Sequence, residues 1–392
     1  MKRKPRKTKS VRNKIPDCKH FTGYKPCFLG SNCLEECVEP MPYGTKVLVV
    51  NLEAMGNVLV TTTLLPAIKR KYPRSTVYWI TLKNAAPLLL NNQYIGKVFL
   101  WEPENWLMLQ AMQFDVVLNV DKSMHACAFT MSLKSQKKLG YGINENGVIV
   151  PLNKGAEYNY LLGLDDHLKF HTNQKTNSRL LTEATALKYR RDEYILNLSS
   201  DEMEFCRKYR QGILTDYSQQ TAHGSPLVVG FNTGCSQLYP NKKMTVDQHV
   251  LLINELAKRR NVRMVLLGGP EDTERNAEIA RQVGDKVVTT PTTDGLRRGI
   301  CYENVCDVVI TGDSLGMHIA IALRKFVIVW FGVSCPQEID LFERGIKLVP
   351  EGLACSPCWK RECPYDLECI QIIDLERIVD KVDRLVPNGN AS

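Results

Sequence analysis

Apolar residues arrive along this chain in short runs, each separated from the next by a longer amphipathic stretch. The runs KVLVVNL (46–52), TVYWITL (76–82), KVFLW (97–101), DVVLNVD (115–121) and KKLGYGI (137–143) predict strands. Helical spacing of apolar residues marks stretches between them, including 58–71 and 125–133. Strands alternating with helices predict a parallel sheet covered on both faces. The pattern fades between about 153 and 225, a polar region ending in the linker-like YSQQTAHGSP. It restarts with strands at 226–232, 262–269, 286–290, 307–313 and 326–332, and helices at 246–259, 271–283, 294–304 and 315–323. A last amphipathic helix, 372–386, gathers Ile373, Ile378, Val379, Val382 and Leu385 on or near one face.

The expected organisation is therefore two doubly wound α/β domains, at 43–200 and 226–371, joined by a linker at 201–225. Residues 1–42 form an arm, and 372–392 a terminal helix expected to cross back and brace the first domain. Ligands of such sheets bind just outside the strand C-terminal edges, so the cleft between the domains is the expected site.

Charge changes the picture in one place. The net charge is +9, and residues 1–14 alone carry eight Lys or Arg and no acid, which leaves the remainder at about +1. Such a run is a solvated arm, or one drawn to anionic lipid or nucleic acid. No apolar core follows it, so it does not read as a secretory signal. No run of about 20 apolar residues is present to span a bilayer.

Three segments at predicted strand ends carry candidate chemistry. In LGGPEDTERN (267–276), two glycines let backbone approach a ligand, and an acid can accept both ribose hydroxyls; the same acids equally suit the helix dipole. In TGDSLGMHIAIAL (311–323), Ser314 can cap a helix whose free N–H groups suit a phosphate. His318 there reads either as a ligand contact or as a satisfied buried histidine. In FNTGCSQLYPNKKM (231–244), Thr233, Gly234 and Ser236 can cradle a diphosphate that a lysine neutralises.

Taken together with MGNVLVTTTLLPAIKRKYP after the first strand, these segments resemble glycosyltransferase family 9, the bacterial heptosyltransferases of lipopolysaccharide synthesis. The resemblance runs from about 46 to 386. It implies a GT-B fold, two Rossmann-like domains facing across a cleft. It also implies inverting sugar transfer from a nucleotide sugar, usually ADP-heptose, to an envelope glycan or lipid-linked acceptor, without a catalytic metal. By resemblance Lys242 is the diphosphate lysine, with Thr233 and Gly234 beside the phosphates. Asp313, Ser314, Gly316 and His318 lie near the donor, and Glu271 or Asp272 holds the ribose. Where the family has Gly two positions after that Asp, this chain has Leu315, with Gly316 one later.

A second departure bears on catalysis. The family's first turn reads Gly-Asp, and the Asp is taken as general base; here it reads Gly56-Asn57. General-base assistance is worth roughly 10²–10⁴-fold. Three readings follow: Glu53, four residues earlier, serves as base; an acid such as Asp121 does; or the chain binds a sugar nucleotide and transfers the sugar slowly or not at all. Asn57 can still orient an acceptor hydroxyl, and it equally suits a helix N-cap.

Fourteen cysteines are present, eight of them in two clusters. Cys355-x2-Cys358-x4-Cys363-x5-Cys369 has the spacing of a tetrahedral thiolate site. Cys18-x8-Cys27-x5-Cys33-x3-Cys37 is looser, in a segment too poor in apolar residues to fold alone. Structural zinc is expected, with iron or an iron–sulfur cluster as the alternative, in one site or two; free thiols with occasional disulfides are the plainer reading. The expectation is a cytoplasmic transferase whose basic arm touches the anionic inner membrane and which binds no nucleic acid. The rival is a nucleotide-sugar-binding scaffold.

Overall fold

The computed structural model describes residues 15–386 except 25, 26, 28, 30–32, 34–36, 38, 53, 219–225 and 260, and gives no side chains for 216–218. The first sheet holds strands β1 (Thr45–Val50), β2 (Ser75–Thr81), β3 (Ile95–Leu100), β4 (Gln113–Asn119), β5 (Lys134–Ile143) and β6 (Ile149–Pro151). The second holds β7 (Leu227–Asn232), β8 (Val262–Leu267), β9 (Val287–Thr289), β10 (Val308–Gly312), β11 (Phe326–Trp330) and β12 (Gly345–Leu348). Their orders are 3-2-1-4-5-6 and 12-11-10-7-8-9. All pairs are parallel except β5 with β6. Order reverses beside β1 and β4 in one sheet and beside β7 and β10 in the other, so loops leaving those four strands diverge and open a crevice.

The central strands form where the sequence is richest in apolar and β-branched residues. Every residue of β2 and of β7 is buried, as expected of strands covered on both faces. The expected helix at 58–71 is instead two helices, Met55–Thr61 and Leu64–Lys71. Thr62 and Thr63 separate them, each hydroxyl bonding a carbonyl three residues back. β6 and β12 were not expected, being only three and four residues long.

Two domain expectations are corrected. Residues 201–218 are not linker: Ser200–Ser218 is one helix packed on the second domain. Its Arg210 meets Asp307 at 2.7 Å, its Glu202 meets Arg297, and Phe205 and Tyr209 pack on Tyr302. The chain crosses earlier, between Thr185 and Ser199, where Ile195 N–H donates to Thr62 Oγ1 at 2.8 Å and Arg191 grips Asp340 and Glu343. Nor does the terminal helix brace the first domain. Leu375–Asp383 lays Ile378, Val379 and Val382 into the second domain's core beside Leu252 and Leu256, and Asp383 pairs with Arg259. That face is apolar, and a partner for it lies within the same domain.

One apolar cluster runs through both domains, from Val47 and Leu59 to Met317 and Phe331. At its edge the Met55–Thr61 helix meets the helix Leu315–Ala322. Gly56 makes the approach possible, since a Cβ there would stand 2.5 Å from His318 Cδ2. The imidazole is held on its other side by Tyr194, stacked at 5.9 Å. Burial, opposed by Asp313 and reinforced by Lys242, lowers the His318 pKa to about 4. The ring is therefore neutral at pH 7.

Two outcomes follow for stability. Gly56→Ala must push His318 against Tyr194, and is expected to cost about 1–3 kcal/mol in chemical denaturation. Since His318 in the folded chain holds its proton less readily than an ordinary histidine near 6.5, the unfolded chain takes up the proton first. Stability is complete above about pH 6.5 and falls toward pH 4, by roughly 3 kcal/mol for such a shift. His249, also lowered to about 4 chiefly by burial, adds to the same slope. Urea titrations between pH 4 and 7 should show the slope, and His318→Gln should reduce it without abolishing it.

Candidate active site

The loops leaving β7 and β10 are joined by one amide. Asn232, the last residue of β7, reaches Ser314 Oγ at 2.8 Å, Thr311 Oγ1 at 2.9 Å and the Gly234 carbonyl at 3.3 Å. Ser314 caps the Leu315–Ala322 helix, its hydroxyl accepting from Met317 N–H. Gly316 resolves the displaced glycine: a Cβ there would stand 2.5 Å from Asn232 Cγ. The shifted glycine thus admits the amide that ties the two loops.

Lys242 ends the short turn Pro240–Lys242, and its ammonium pairs with Asp313 at 2.6 Å. Both side chains are about seven-eighths withdrawn from solvent, at 12% and 13% exposure. Burial alone would raise the Asp313 carboxyl; Lys242, then His318, outweigh it and leave its pKa below the ordinary value. The structure thus brings Lys242, Asp313, Ser314, Gly316 and His318 together.

Thr233 and Gly234 sit differently from each other. The Thr233 hydroxyl is buried against Asn276 Oδ1 at 2.5 Å, so it braces the loop and does not face the cleft. A Cβ on Gly234 would fall 1.9 Å from Asp272 Oδ2, so the glycine lets that carboxylate close in. Asp272 is itself buried and accepts from Gly269 N–H at 3.0 Å, with Lys243 3.5 Å away. Burial raises its pKa. Glu271 is exposed, and so is Ser236, whose hydroxyl accepts from Leu238 N–H.

On the first domain, Asn57 is exposed and follows Ala54, which adopts a left-handed φ of 55°. Glu53 lies outside the described residues. Asp121 is buried, and its carboxylate accepts from Leu52 N–H and Ser123 N–H, both at 2.8 Å. It fixes the loops beside β1 and β4 instead of presenting a free base.

The cleft also holds groups that no motif singled out. Lys122 leaves β4 on the first domain; its ammonium donates to the Asn159 carbonyl at 2.5 Å. The surrounding walls, with Lys169 adding like charge, lower its pKa to about 8. Glu338 follows β11. Burial raises its carboxyl, and its charged neighbours are Lys169, Asp313, Lys122 and Lys242. Trp359, between Cys358 and Lys360, lies under two lysine ammonium groups. These residues are isolated in sequence and meet only through topology.

Cys355, Cys358, Cys363 and Cys369 line one cavity of about 250 Å³, with Asp166 and His171 of the first domain on its opposite wall. Burial, then the other three thiols, push Cys369 up to about 11. Four thiols on one cavity are a donor set suited to a thiophilic ion. Among the described residues, no three Cys, His, Asp or Glu side chains are gathered closely enough to enclose one. Cys33 neighbours Cys27 and Cys37, while Cys18 takes hydrogen bonds from the Met41 and His20 backbone. Every described cysteine is a free thiol, and among the described residues lining the cavity none comes from the N-terminal set.

Known proteins resemble this chain in sequence and in fold. The chain is 21% identical over 288 residues to the lipopolysaccharide core heptosyltransferase OpsX of Haemophilus influenzae, covering 70% of this chain and 75% of that protein. It is 29% identical over 87 residues to lipooligosaccharide heptosyltransferase 2 of Campylobacter jejuni, a match spanning only 22% of this chain and 27% of that protein. Among solved structures, a family 9 glycosyltransferase from Veillonella parvula superposes with a TM-score of 0.65 at 15% identity, covering 88% of this chain and 97% of that one. The ADP-heptose lps heptosyltransferase II of E. coli gives 0.61 at 16%, covering 87% and 98%. The iron-containing heptosyltransferase TibC, solved with ADP-D-beta-D-heptose, gives 0.50 at 13%, covering 88% and 77%. These show the GT-B fold. No helix among the described residues is long and apolar enough to cross a membrane. The sequence profile of glycosyltransferase family 9 (heptosyltransferase) matches residues 106–368, and the chain belongs to that family.

Proposed function

We propose that this chain is an inverting glycosyltransferase that moves a heptose or similar sugar from an ADP-sugar to an envelope glycan or lipid-linked acceptor. The observation that carries this reading is the junction of Lys242, Asp313 and capped Ser314 at the β7–β10 switch point. A cation and free helix N–H groups at one edge suit a diphosphate. The names of the Haemophilus and E. coli relatives support a heptosyl donor and a lipopolysaccharide acceptor.

In this mechanism the diphosphate draws Lys242 from Asp313, and exposed Glu271 accepts the ribose hydroxyls. The acceptor oxygen attacks C1 from the face opposite the diphosphate. As the new C1–O bond forms, the old one breaks with its electron pair onto the diphosphate, where Lys242 and the Ser314 helix end hold the charge. Glu53 takes the acceptor proton, and Asn57 orients the hydroxyl. The basic arm, residues 1–14, keeps the protein at the cytoplasmic face of an anionic membrane, at about 1 kcal/mol per basic residue near the surface. The exposed amide at Asn57 favours one second reading, a binding protein that holds the donor without transfer.

A calorimetric screen of ADP- and UDP-sugars tests the site: at least one should bind, and none binding ends the enzyme reading. With a donor in hand, Glu53→Gln should lower turnover by about 10²-fold or more with little change in donor affinity; wild-type turnover would remove Glu53 as base. Donor binding with no transfer to any lipopolysaccharide-core acceptor would favour the second reading.

We propose structural zinc or iron for the cysteine clusters, held by Cys355, Cys358, Cys363 and Cys369, with Cys27, Cys33, Cys37 and Cys18 as the second set; the described thiols must draw closer to enclose it. Elemental analysis of the purified chain should find at least one equivalent of metal, lost on Cys355→Ser together with Cys358→Ser. Less than one equivalent rejects both sites.

A further inference from the structure

Lys169 belongs to no motif, yet it shares the ring of Trp359 with Lys242. It comes from the first domain, in the wide helical turn Leu168–Thr172. Its ammonium lies 4.4 Å from the centroid of Trp359, and that of Lys242, from the second domain, lies 4.8 Å from the same centroid. The two nitrogens are therefore no further apart than those two distances laid end to end. Like charges at that range repel unless negative charge is shared between them.

The ring face supplies part of that charge. The carboxylates facing the cluster are Asp313, already paired with Lys242, and Glu338, whose largest ionic neighbour is Lys169. Lys122 adds a third ammonium from the first domain, and His318 is neutral. Three cations thus meet two carboxyls, and the surplus is positive.

The platform is anchored from both sides. Trp359 holds a left-handed φ of 51°, and its N–H donates to the Val333 carbonyl at 2.9 Å. Cys358 N–H donates to the same carbonyl at 3.1 Å. Tyr239 packs edge-on against the indole at 5.3 Å. Gln337, beside Glu338, donates to the Lys169 carbonyl at 3.2 Å and so ties the first-domain turn to the loop after β11.

We propose that Lys169 and Lys242 form a two-ammonium clamp across the cleft, seated on Trp359, that takes the donor's diphosphate. The clamp rests on the nucleotide-sugar reading of this site. A diphosphate has anionic oxygens on two phosphorus centres, one for each ammonium, where a monophosphate offers only one. Lys169 would neutralise the phosphoryl that receives the electron pair when the sugar leaves, and binding would draw the two domains onto a shared ligand. Trp359 acts as a positioning residue, so the cysteine loop that carries it helps to build the donor site.

Calorimetric titration with ADP, UDP, AMP and UMP tests the clamp. Wild type should bind one diphosphate more tightly than its monophosphate. Lys169→Gln should weaken the diphosphate by about tenfold or more and leave the monophosphate unchanged. Lys169→Met, which keeps the stem on the indole, should match it, and Lys169→Arg should keep most of the affinity. Trp359→Ala should lose what Lys169→Gln loses, and Trp359→Phe should retain it. If Lys242→Gln weakens diphosphate binding while both neutral variants at Lys169 bind as wild type, the clamp is wrong and the nucleotide site stands. If neither ADP nor UDP binds wild type, the nucleotide reading falls and the clamp with it.

Discussion

The site depends on the Lys242–Asp313 ion pair, two charges 2.6 Å apart and mostly shielded from water. Such a pair contributes little net stability, but losing one partner strands the other at a cost of about 3–5 kcal/mol. That asymmetry fixes the geometry. The loop after β7 cannot withdraw Lys242 without exposing Asp313, and the loop after β10 is bound by the same constraint. The Asn232 amide reinforces it by linking the two loops a few residues upstream. An incoming phosphate can take over the ammonium only if the Asp313 carboxylate finds other donors. Ser334 after β11 neighbours that carboxylate, and its buried hydroxyl has no other partner.

The same region joins the domains. His318 stands one helical turn past Ser314, buried between Gly56 of the first domain and Tyr194 of the crossing segment. A charged ring there would repel Lys242 and lack water, which is why the neutral form prevails. The histidine expected near the donor therefore does its visible work as an uncharged plate between domains. Any change in how the Met55–Thr61 helix sits is felt one turn from the candidate phosphate edge. The candidate phosphate edge and the domain packing consequently share a single helix.

The alternation of apolar runs was enough to place both sheets, because central strands such as β2 and β7 are buried on both faces and leave an unmistakable apolar signal. Short edge strands leave none: β6 is three residues with a proline, and β12 is GIKL. The Ser200–Ser218 helix was hidden by polar composition, since its stability comes from Arg210 on Asp307, Glu202 on Arg297 and a stack of aromatic rings, all contacts far apart in sequence. For the site, motif order located Lys242, Asp313 and Ser314. It could not distinguish Glu271 from Asp272, because only the fold shows that Gly269 N–H and the space beside Gly234 consume the second carboxylate. Lys122, Lys169, Glu338 and Trp359 had no local signature. A lysine in a polar loop looks solvated until topology places it over an indole from the other domain.

The amide at Asn57 fits that cationic cleft. A carboxylate at the same turn would bring one more negative charge to the first domain's side of the cleft. Replacing it by an amide leaves hydrogen bonding in place while the surplus of positive charge rises by one. The gain falls on leaving-group stabilisation, which acts on the C1–O bond that breaks. The cost falls on proton removal from the acceptor, which must pass to another carboxylate. Asp121 is committed to two backbone N–H groups, and Glu338 is held among ammonium groups whose pull partly offsets its burial. In the sequence, Glu53 separates the buried Leu52 from the left-handed Ala54, which precedes the Gly56 contact by two residues. Domain packing is therefore fixed within a few residues of the turn where the family's base would stand.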